Sequence, residues 1–173
     1  MLFLKLIQQL VKALNSDGTP GQVAAGMALG AVFGLTPLMN LHNLVLFGCA
    51  LILNVSLAGV FLGWTLAVPV GFALDPLFDA VGKALLGAPA LKGLWTALYN
   101  TPVVPFTNFN NSIVLGSFVA WAVLFLPIFF LARHGVAKYR EHVYERLRKM
   151  RFFQAVTASG WYSTYKSLTG WKL

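Results

Sequence analysis

Apolar residues run almost unbroken from Gly18 to Leu74, a segment that contains no Asp, Glu, Lys or Arg. Its first part, from Pro20 to about Gly34, predicts a helix, because the preceding threonine is a good cap and proline fits the first helical position. Pro37 ends this helix, since proline lacks a backbone donor and clashes with the preceding turn. A second apolar run, from Leu44 to Leu53, predicts another helix.

Both helices are too short to cross a membrane. At a rise of about 1.5 Å per residue they fall short of the ~30 Å hydrocarbon core. Two short helices joined at Pro37 predict a re-entrant hairpin or a broken helix, and two complete crossings are the alternative. Backbone groups freed at such a break must be satisfied by protein or water rather than by lipid. The amides of Asn40 and Asn43 are suited to that role.

Two later segments predict full transmembrane helices. The first runs from Ser56 to Leu74, with Pro69 as a helix break near its end. The second runs from Ser112 to Ala132 and is terminated by Arg133. Between them, Asp75-Pro76 repeats the pattern of a cap followed by proline, which predicts the start of a separate amphipathic helix.

Small residues in the first helix predict close packing. Gly26, Gly30 and Gly34 follow one another at four-residue spacing, which places them on one helix face. Such a stripe lets two helix backbones approach closely in lipid. Its partner is either another helix of the same chain or a second copy, so a homo-oligomer stays open.

Charged residues make up only 10% of the chain, against roughly 25% in soluble domains. The sequence therefore predicts an all-α integral membrane protein. Its parts are short broken or re-entrant helices, about two full transmembrane helices, and amphipathic interfacial helices at both ends. The predicted domains are an interfacial helix at residues 1–15, a membrane domain at 16–132 and a basic cytoplasmic amphipathic tail at 133–173.

The net charge of +8 is concentrated near the C-terminus. A cluster of this kind favours anionic lipid contact or a protein docking helix over a nucleic-acid-binding face. By the positive-inside rule it predicts a multi-pass protein of the bacterial inner membrane with both termini in the cytoplasm. The predicted lipid-contacting residues are Arg133, Lys138, Arg140, Arg146, Arg148, Lys149 and Arg151.

The pattern Pro-x2-Asn-x2-Asn-x4-Gly occurs twice, starting at Pro37 and at Pro105. Paired proline-interrupted segments in two halves of a membrane protein are typical of transporter binding sites. The candidate polar pocket therefore consists of Asn40, His42, Asn43, Asn108 and Asn111. The predicted helix breaks are Pro37, Pro69 and Pro105. In the alternative the repeat is coincidence, the asparagines cap half-helices, and His42 is a structural hydrogen-bonding residue rather than a proton or headgroup contact.

The sequence shows no catalytic constellation. It contains no nucleophile with an evident base, no phosphate-binding glycine loop and no H-x3-H metal spacing. His42 has no His, Cys or acidic neighbour in its segment, which makes it a poor metal ligand. Cys49 is the single cysteine, so no internal disulfide can form. We therefore expect a protein that is not an enzyme and that binds neither a metal nor a cofactor.

The stretch from Thr19 to Pro37, TPGQVAAGMALGAVFGLTP, with Asn43, Asn54 and Pro69 after it, resembles a bacterial family of uncharacterised membrane proteins, a domain of unknown function. An acidic residue usual in that family after the first proline is replaced by Gly21-Gln22. No catalytic residue is known for the family, so the resemblance implies none here.

Beyond Leu86 the chain resembles a long-tailed subgroup of that family in bacteria with an outer membrane. Members of the subgroup are often encoded beside a much larger AsmA-like envelope protein. The resemblance therefore implies an inner-membrane partner of a larger protein in envelope lipid traffic.

Three functions stay open at this point. In the first, the protein is a non-enzymatic inner-membrane component that anchors or works with a larger envelope partner in lipid transport between membranes, with membrane lipids as its other partner. In the second, it is a small transporter or channel whose pathway is lined by the paired Pro-Asn loops. In the third, it is a structural membrane anchor for cytoplasmic proteins.

Overall fold

The structure, a computed structural model, describes residues 18–144, with side chains through residue 141. Every regular element in this range is helical and none is a strand, which confirms the all-α prediction. The predicted interfacial helix at residues 1–15 lies outside the described residues. So do four predicted lipid-contacting residues of the basic tail, Arg146, Arg148, Lys149 and Arg151.

The described chain forms α1 (Pro20–Leu35), α2 (Leu41–Ile52), α3 (Leu57–Gly87), α4 (Lys92–Tyr99) and α5 (Ser112–Lys138). Short 3-10 turns flank α4 and a π-helix follows α5, at Pro89–Leu91, Val104–Thr107 and Tyr139–Tyr144. The bounds of α1 match the prediction, whereas α2 begins three residues before the predicted Leu44.

Two segments are long and apolar enough to cross a membrane, namely α3 and Ser112–Glu141. Only 28% of the most apolar stretch of each is buried within the protein, so most of their apolar surface is covered by no other part of the described chain. This is the exposure expected of helices that face lipid. It agrees with the prediction of about two full-length spans, while α1 and α2 are shorter apolar helices.

The first helix starts and ends where its cap residues predict. The Thr19 side chain accepts a hydrogen bond from the Gln22 backbone at 3.2 Å, and Gln22 Oε1 accepts one from the Thr19 backbone at 2.7 Å. This reciprocal pair satisfies two otherwise free amides at the start of α1. The helix ends at Leu35, directly before Thr36 and Pro37, so the predicted break at Pro37 is confirmed.

The predicted glycine stripe packs α1 against α3. A Cβ at Gly30 would overlap the carbonyl of Val60, and a Cβ at Gly34 would lie 2.6 Å from the carbonyl of Trp64. Gly26 meets the backbone at Ser56 in the same way. The prediction of close packing is confirmed, and the partner helix belongs to the same chain.

Helices α1 and α3 run in parallel, and α2 returns the chain between them. Their first turns are joined by a hydrogen bond from the Ser56 amide to the Gln22 carbonyl at 3.1 Å. At the other end, the last residues of α1, Gly34 and Leu35, meet Gly71 of α3. The α1–α2 hairpin therefore has both ends beside the start of α3 and its tip level with Gly71, about one helical turn before Asp75.

The predicted helix break at Pro69 and the predicted new helix at Asp75 are wrong. A single helix, α3, runs through both Pro69 and Pro76. Proline removes a helical hydrogen bond, but a helix tolerates it where neighbouring helices hold the two halves in line. Here Gly63 and Gly71, on either side of Pro69, both press against α1. Packing outweighs the local preference, and Asp75 lies inside the helix rather than at its cap.

The last turns of α3 pack against the start of α5. A Cβ at Gly82 would overlap the carbonyl of Ser112, so the two backbones touch there. Asp79 accepts a hydrogen bond from the Ser112 hydroxyl. It also pairs with Lys83, one helical turn later, at 2.6 Å. These polar contacts fix α5 antiparallel to the end of α3.

Helix α5 also reaches α1, because the buried Trp121 donates from Nε1 to the carbonyl of Ala28 at 2.8 Å. The predicted end of this helix at Arg133 is wrong, since α5 continues to Lys138. Arginine ends an apolar span but is itself a good helix former. The chain divides into two compact units, of which the first ends at Val136 and the second begins at Ala137.

Candidate functional site

The tip of the α1–α2 hairpin is held together by a buried asparagine. Asn43 Nδ2 donates to the carbonyls of Pro37 at 2.9 Å and Leu38 at 3.3 Å, and lies 3.0 Å from Thr36 Oγ1. The Thr36 hydroxyl in turn donates to the carbonyl of Val32 at 2.9 Å. The Asn43 side chain thus satisfies carbonyls of the break between α1 and α2, as predicted.

A second asparagine joins this tip to the loop before α5. Asn108 Nδ2 donates to Asn40 Oδ1 at 2.6 Å and to the Met39 carbonyl at 3.3 Å. Asn40 in turn donates from Nδ2 to the Pro37 carbonyl. Asn40 is almost fully buried, whereas Asn108 is exposed. The first asparagines of the two motif copies are therefore in direct contact.

The two motif copies nevertheless have different local structures. In the first, α2 begins after Asn40, whose side chain makes no capping hydrogen bond. In the second, α5 begins after Asn111, whose Oδ1 accepts from the amides of the second and third residues after it, at 3.0 and 3.2 Å. The final glycines also differ, because Gly48 faces open space while Gly116 presses against α3. The repeat interpretation is therefore wrong at the level of local structure.

Pro105 does not break a helix, although it was predicted to do so. It lies in the first turn of the 3-10 segment Val104–Thr107, where its missing amide costs little. The preceding Val103 has φ 76°, which is an unusual conformation for a β-branched residue. Asn108 follows with φ 55°, a left-handed conformation that asparagine tolerates. The loop thus reaches the hairpin tip through two positive φ angles.

His42 is near the asparagines in sequence but faces a different neighbour. Its ring makes an edge contact with Phe118 of α5, with centroids 4.8 Å apart. Its Nε2 is buried and has no hydrogen-bond partner among residues 18–141. The imidazole is hydrogen-bonded to the backbone of Thr107, in line with the structural hydrogen bond predicted for His42. A proton or headgroup role for His42 stays a prediction.

An open groove of about 660 Å³ runs along the hairpin between α1, α2 and α3. Its inner end is aromatic: Phe33 lies edge-on to Phe47 at 6.1 Å and to Trp64 at 5.9 Å, and Phe61 stacks on Trp64 at 6.2 Å. None of the described residues that line it is charged. The groove is thus apolar along its length, with amides only at the hairpin tip.

The groove replaces the predicted polar pocket. Of the five predicted pocket residues, only Asn40 and Asn43 line it, at its outer end. Asn108 borders it indirectly, through its bond to Asn40 and through Phe106, which does line the groove. The lining aromatic residues were not identified from the sequence, because an aromatic residue that faces lipid and one that faces a groove follow the same pattern.

No acid, base or thiol side chain lies among the described lining residues. Within residues 18–144, no group of three His, Cys, Asp or Glu side chains is placed to hold a metal ion. Of the predicted lipid-contacting residues, Arg133 and Lys138 are exposed and Arg140 is half-buried. Contact of these residues with anionic lipid stays a prediction.

Comparison with known proteins identifies the family. The model of a family described as "Uncharacterized protein conserved in bacteria (DUF2062)" matches residues 5–145, which include every described helix. The chain belongs to this family. One relative, an uncharacterized protein of Treponema pallidum (strain Nichols), is 27% identical over 150 residues, which cover 87% of this chain and 93% of the relative. No solved structure matches the chain.

The family match confirms the resemblance drawn from the glycine-rich first helix and the Thr36-Pro37 end. The match extends through α5, well beyond the segment that carried the resemblance. The AsmA-like neighbour implied by the long-tailed subgroup stays a prediction.

Proposed function

We propose that this DUF2062 protein is a non-enzymatic component of the bacterial inner membrane that takes up membrane lipid and works with a larger envelope partner in lipid transport. The observation that carries the proposal is the groove beside the hairpin. It is aromatic and uncharged, and it is open along one side.

The position of the groove supports a lipid ligand. Two of its lining residues, Phe61 and Trp64, belong to α3, which is long and apolar enough to span a membrane. The neighbouring surface is also apolar, with Val45 56% and Leu51 58% exposed. Such surface is unfavourable in water and favourable against acyl chains. A groove that opens on this surface faces hydrocarbon.

Charge supports the proposed orientation. Exposed Arg133 lies near the end of α5 that leads away from the hairpin tip, and basic residues favour the cytoplasmic side. Helices α1 and α3 start at that same end, so the hairpin enters from the cytoplasmic side. Its tip and the loop at residues 100–111 then face the far side, where an envelope partner would meet them.

The groove also supports a non-enzymatic role. Its polar groups are the amides of Asn40 and Asn43, and those amides already bond to the hairpin backbone. A transporter with a polar pathway would need such groups along the depth of the membrane. Below the tip the described lining is apolar, so the geometry favours lipid handling over a polar channel.

The test uses a bacterium that carries this gene. Deletion is expected to change how newly made phospholipid distributes between the inner and outer membranes, and the intact gene is expected to restore it. A photo-crosslinking residue at Met39, on the hairpin tip and 92% exposed, is expected to capture a protein larger than this chain. The matched control at Leu131 on α5, 74% exposed, is expected to capture lipid but not that protein.

An unchanged lipid distribution together with no larger protein captured from Met39 would contradict the proposed function. The anchor alternative predicts a different result. In that case only removal of residues 133–173 would produce a defect, and groove substitutions would have no effect.

A further inference from the structure

We propose that the groove is a site for one acyl chain of a phospholipid from a single leaflet, the leaflet on the side of the hairpin tip. The acyl chain enters the groove beside Asn40, and its methyl end reaches the aromatic residues at the inner end of the groove. This inference deepens the proposed function and rests on it for its biological meaning.

The length of the groove is that of one acyl chain. The groove includes Phe61 at one end and Met39 and Asn40 of the hairpin tip at the other. The tip is level with Gly71 of α3. Ten residues of α3 separate Phe61 from Gly71, which is about 15 Å at about 1.5 Å per residue. That length is about half of the ~30 Å hydrocarbon core.

Aromatic rings from three helices meet at the inner end. The contacts of Phe33 with Phe47 and Trp64, at 6.1 and 5.9 Å, join α1, α2 and α3 across the groove. A chain that enters at the tip therefore ends against these rings instead of passing through. The volume of about 660 Å³ lies within the range of about 300–1,000 Å³ that is usual for ligand sites.

At the outer end, Phe106 lines the groove and is 71% exposed. The loop that carries Phe106 is bonded to the hairpin through Asn108 and Asn40. An acyl chain at the mouth would be covered by Phe106, while its ester end lies among the amides of Asn40 and Asn108.

The residues that line the groove favour recognition of the acyl chain over recognition of the lipid phosphate. No Lys or Arg is among the described lining residues, and the amides of the tip carry no net charge. Phosphate recognition commonly relies on arginine, lysine or free backbone amides. We therefore expect retention to depend on acyl chain length and to vary little between phosphatidylethanolamine and phosphatidylglycerol.

The test is native mass spectrometry of the full-length protein released from detergent micelles, with either phospholipid added. One retained phospholipid is expected on the wild type after the loosely bound lipid has been removed. Leu44→Trp, which fills the groove, is expected to weaken retention about tenfold, the scale of roughly two buried methylene groups. Leu124→Trp, on the exposed apolar surface of α5 and outside the groove, is the matched control and is expected to retain lipid as the wild type does.

A chain-length series tests the closed inner end. Retention is expected to rise with chain length until the chain meets the aromatic rings, and Phe47→Ala is expected to shift the optimum to longer chains. No retained lipid on the wild type, equal loss in Leu44→Trp and Leu124→Trp, or an optimum unmoved by Phe47→Ala would each overturn the inference. Preference for one headgroup without any dependence on chain length would also overturn it.

The two proposals fail in different ways. If chain-selective retention is found but deletion leaves envelope lipid unchanged, the site stands and the transport role falls. If deletion changes envelope lipid but Leu44→Trp both retains lipid and restores transport, the transport role stands and this site falls.

Discussion

Asn108 donates from Nδ2 to Asn40 Oδ1 across 2.6 Å, and the two residues lie 68 positions apart at the same place in two copies of one short motif. The copies are not structural repeats, yet their asparagines meet. The contact holds the loop before α5 on the tip of the α1–α2 hairpin. This joint carries Phe106 onto the mouth of the apolar groove.

Asn108→Gly tests the joint. Glycine keeps the left-handed conformation at φ 55° and removes the amide, so the hydrogen bonds to Asn40 and Met39 are lost. We expect faster backbone hydrogen exchange across residues 100–111 and a loss of about 1 kcal/mol in the free energy of unfolding. Asn110→Ala, an exposed neighbour, should leave exchange in that loop at the wild-type rate. Unchanged hydrogen exchange in Asn108→Gly would contradict the claim that this contact holds the loop on the hairpin tip.

Gly30→Ala tests the close packing of α1 on α3. The added Cβ would overlap the carbonyl of Val60, which is backbone and cannot rotate away. We expect a loss of up to about 3 kcal/mol in unfolding free energy, measured by denaturation in micelles. Gly48→Ala is the matched control, because a Cβ there meets open space and should add up to about 1 kcal/mol through helix propensity. Equal effects of the two substitutions would contradict the packing.

Trp121→Phe tests the contact of α5 with α1. The substitution removes the buried hydrogen bond from the indole to the carbonyl of Ala28 and leaves a smaller ring in the same space. We expect a loss of about 1–2 kcal/mol in unfolding free energy, from the bond and the reduced packing together. Trp95→Phe removes a similar but less buried bond to the Leu85 carbonyl, and its loss should be smaller. The reverse order would show that α5 is not held on α1 through Trp121.

Val103→Gly tests the strain in the loop. A β-branched residue at φ 76° is strained, whereas glycine adopts this conformation freely. We expect the substitution to stabilise the protein by about 1 kcal/mol, seen as a higher midpoint of thermal unfolding. Val104→Gly, one residue on in the 3-10 turn, should instead lower the midpoint, because glycine gives no relief at an ordinary φ. A lower midpoint for Val103→Gly would contradict the strain.

The sequence was informative wherever one local signal decided the structure. The cap at Thr19, the end of α1 before Pro37 and the glycine stripe at Gly30 each depend on residues within one or two turns. The all-helical fold followed from the charge deficit and the lengths of the apolar runs.

Other features depended on packing that no local signal reports. Pro69 was expected to break its helix, but contacts of Gly63 and Gly71 with α1 keep α3 continuous. The groove needs Phe33, Phe47 and Trp64 from three different helices. Nothing in the local sequence distinguishes these aromatic residues from others in the apolar runs, so only the arrangement of the helices shows that they meet.

The measurement that tests the central claim most directly is a crosslinking map in living cells. Cells would be supplied with a fatty acid that carries a photoactivatable group near its methyl end and that is incorporated into phospholipid. We predict crosslinks concentrated on the inner end of the groove, at Phe47 and Trp64, above the level on the exposed α5 residue Leu131. Crosslinks spread evenly over the groove and Leu131 would contradict the claim that the groove holds a lipid chain.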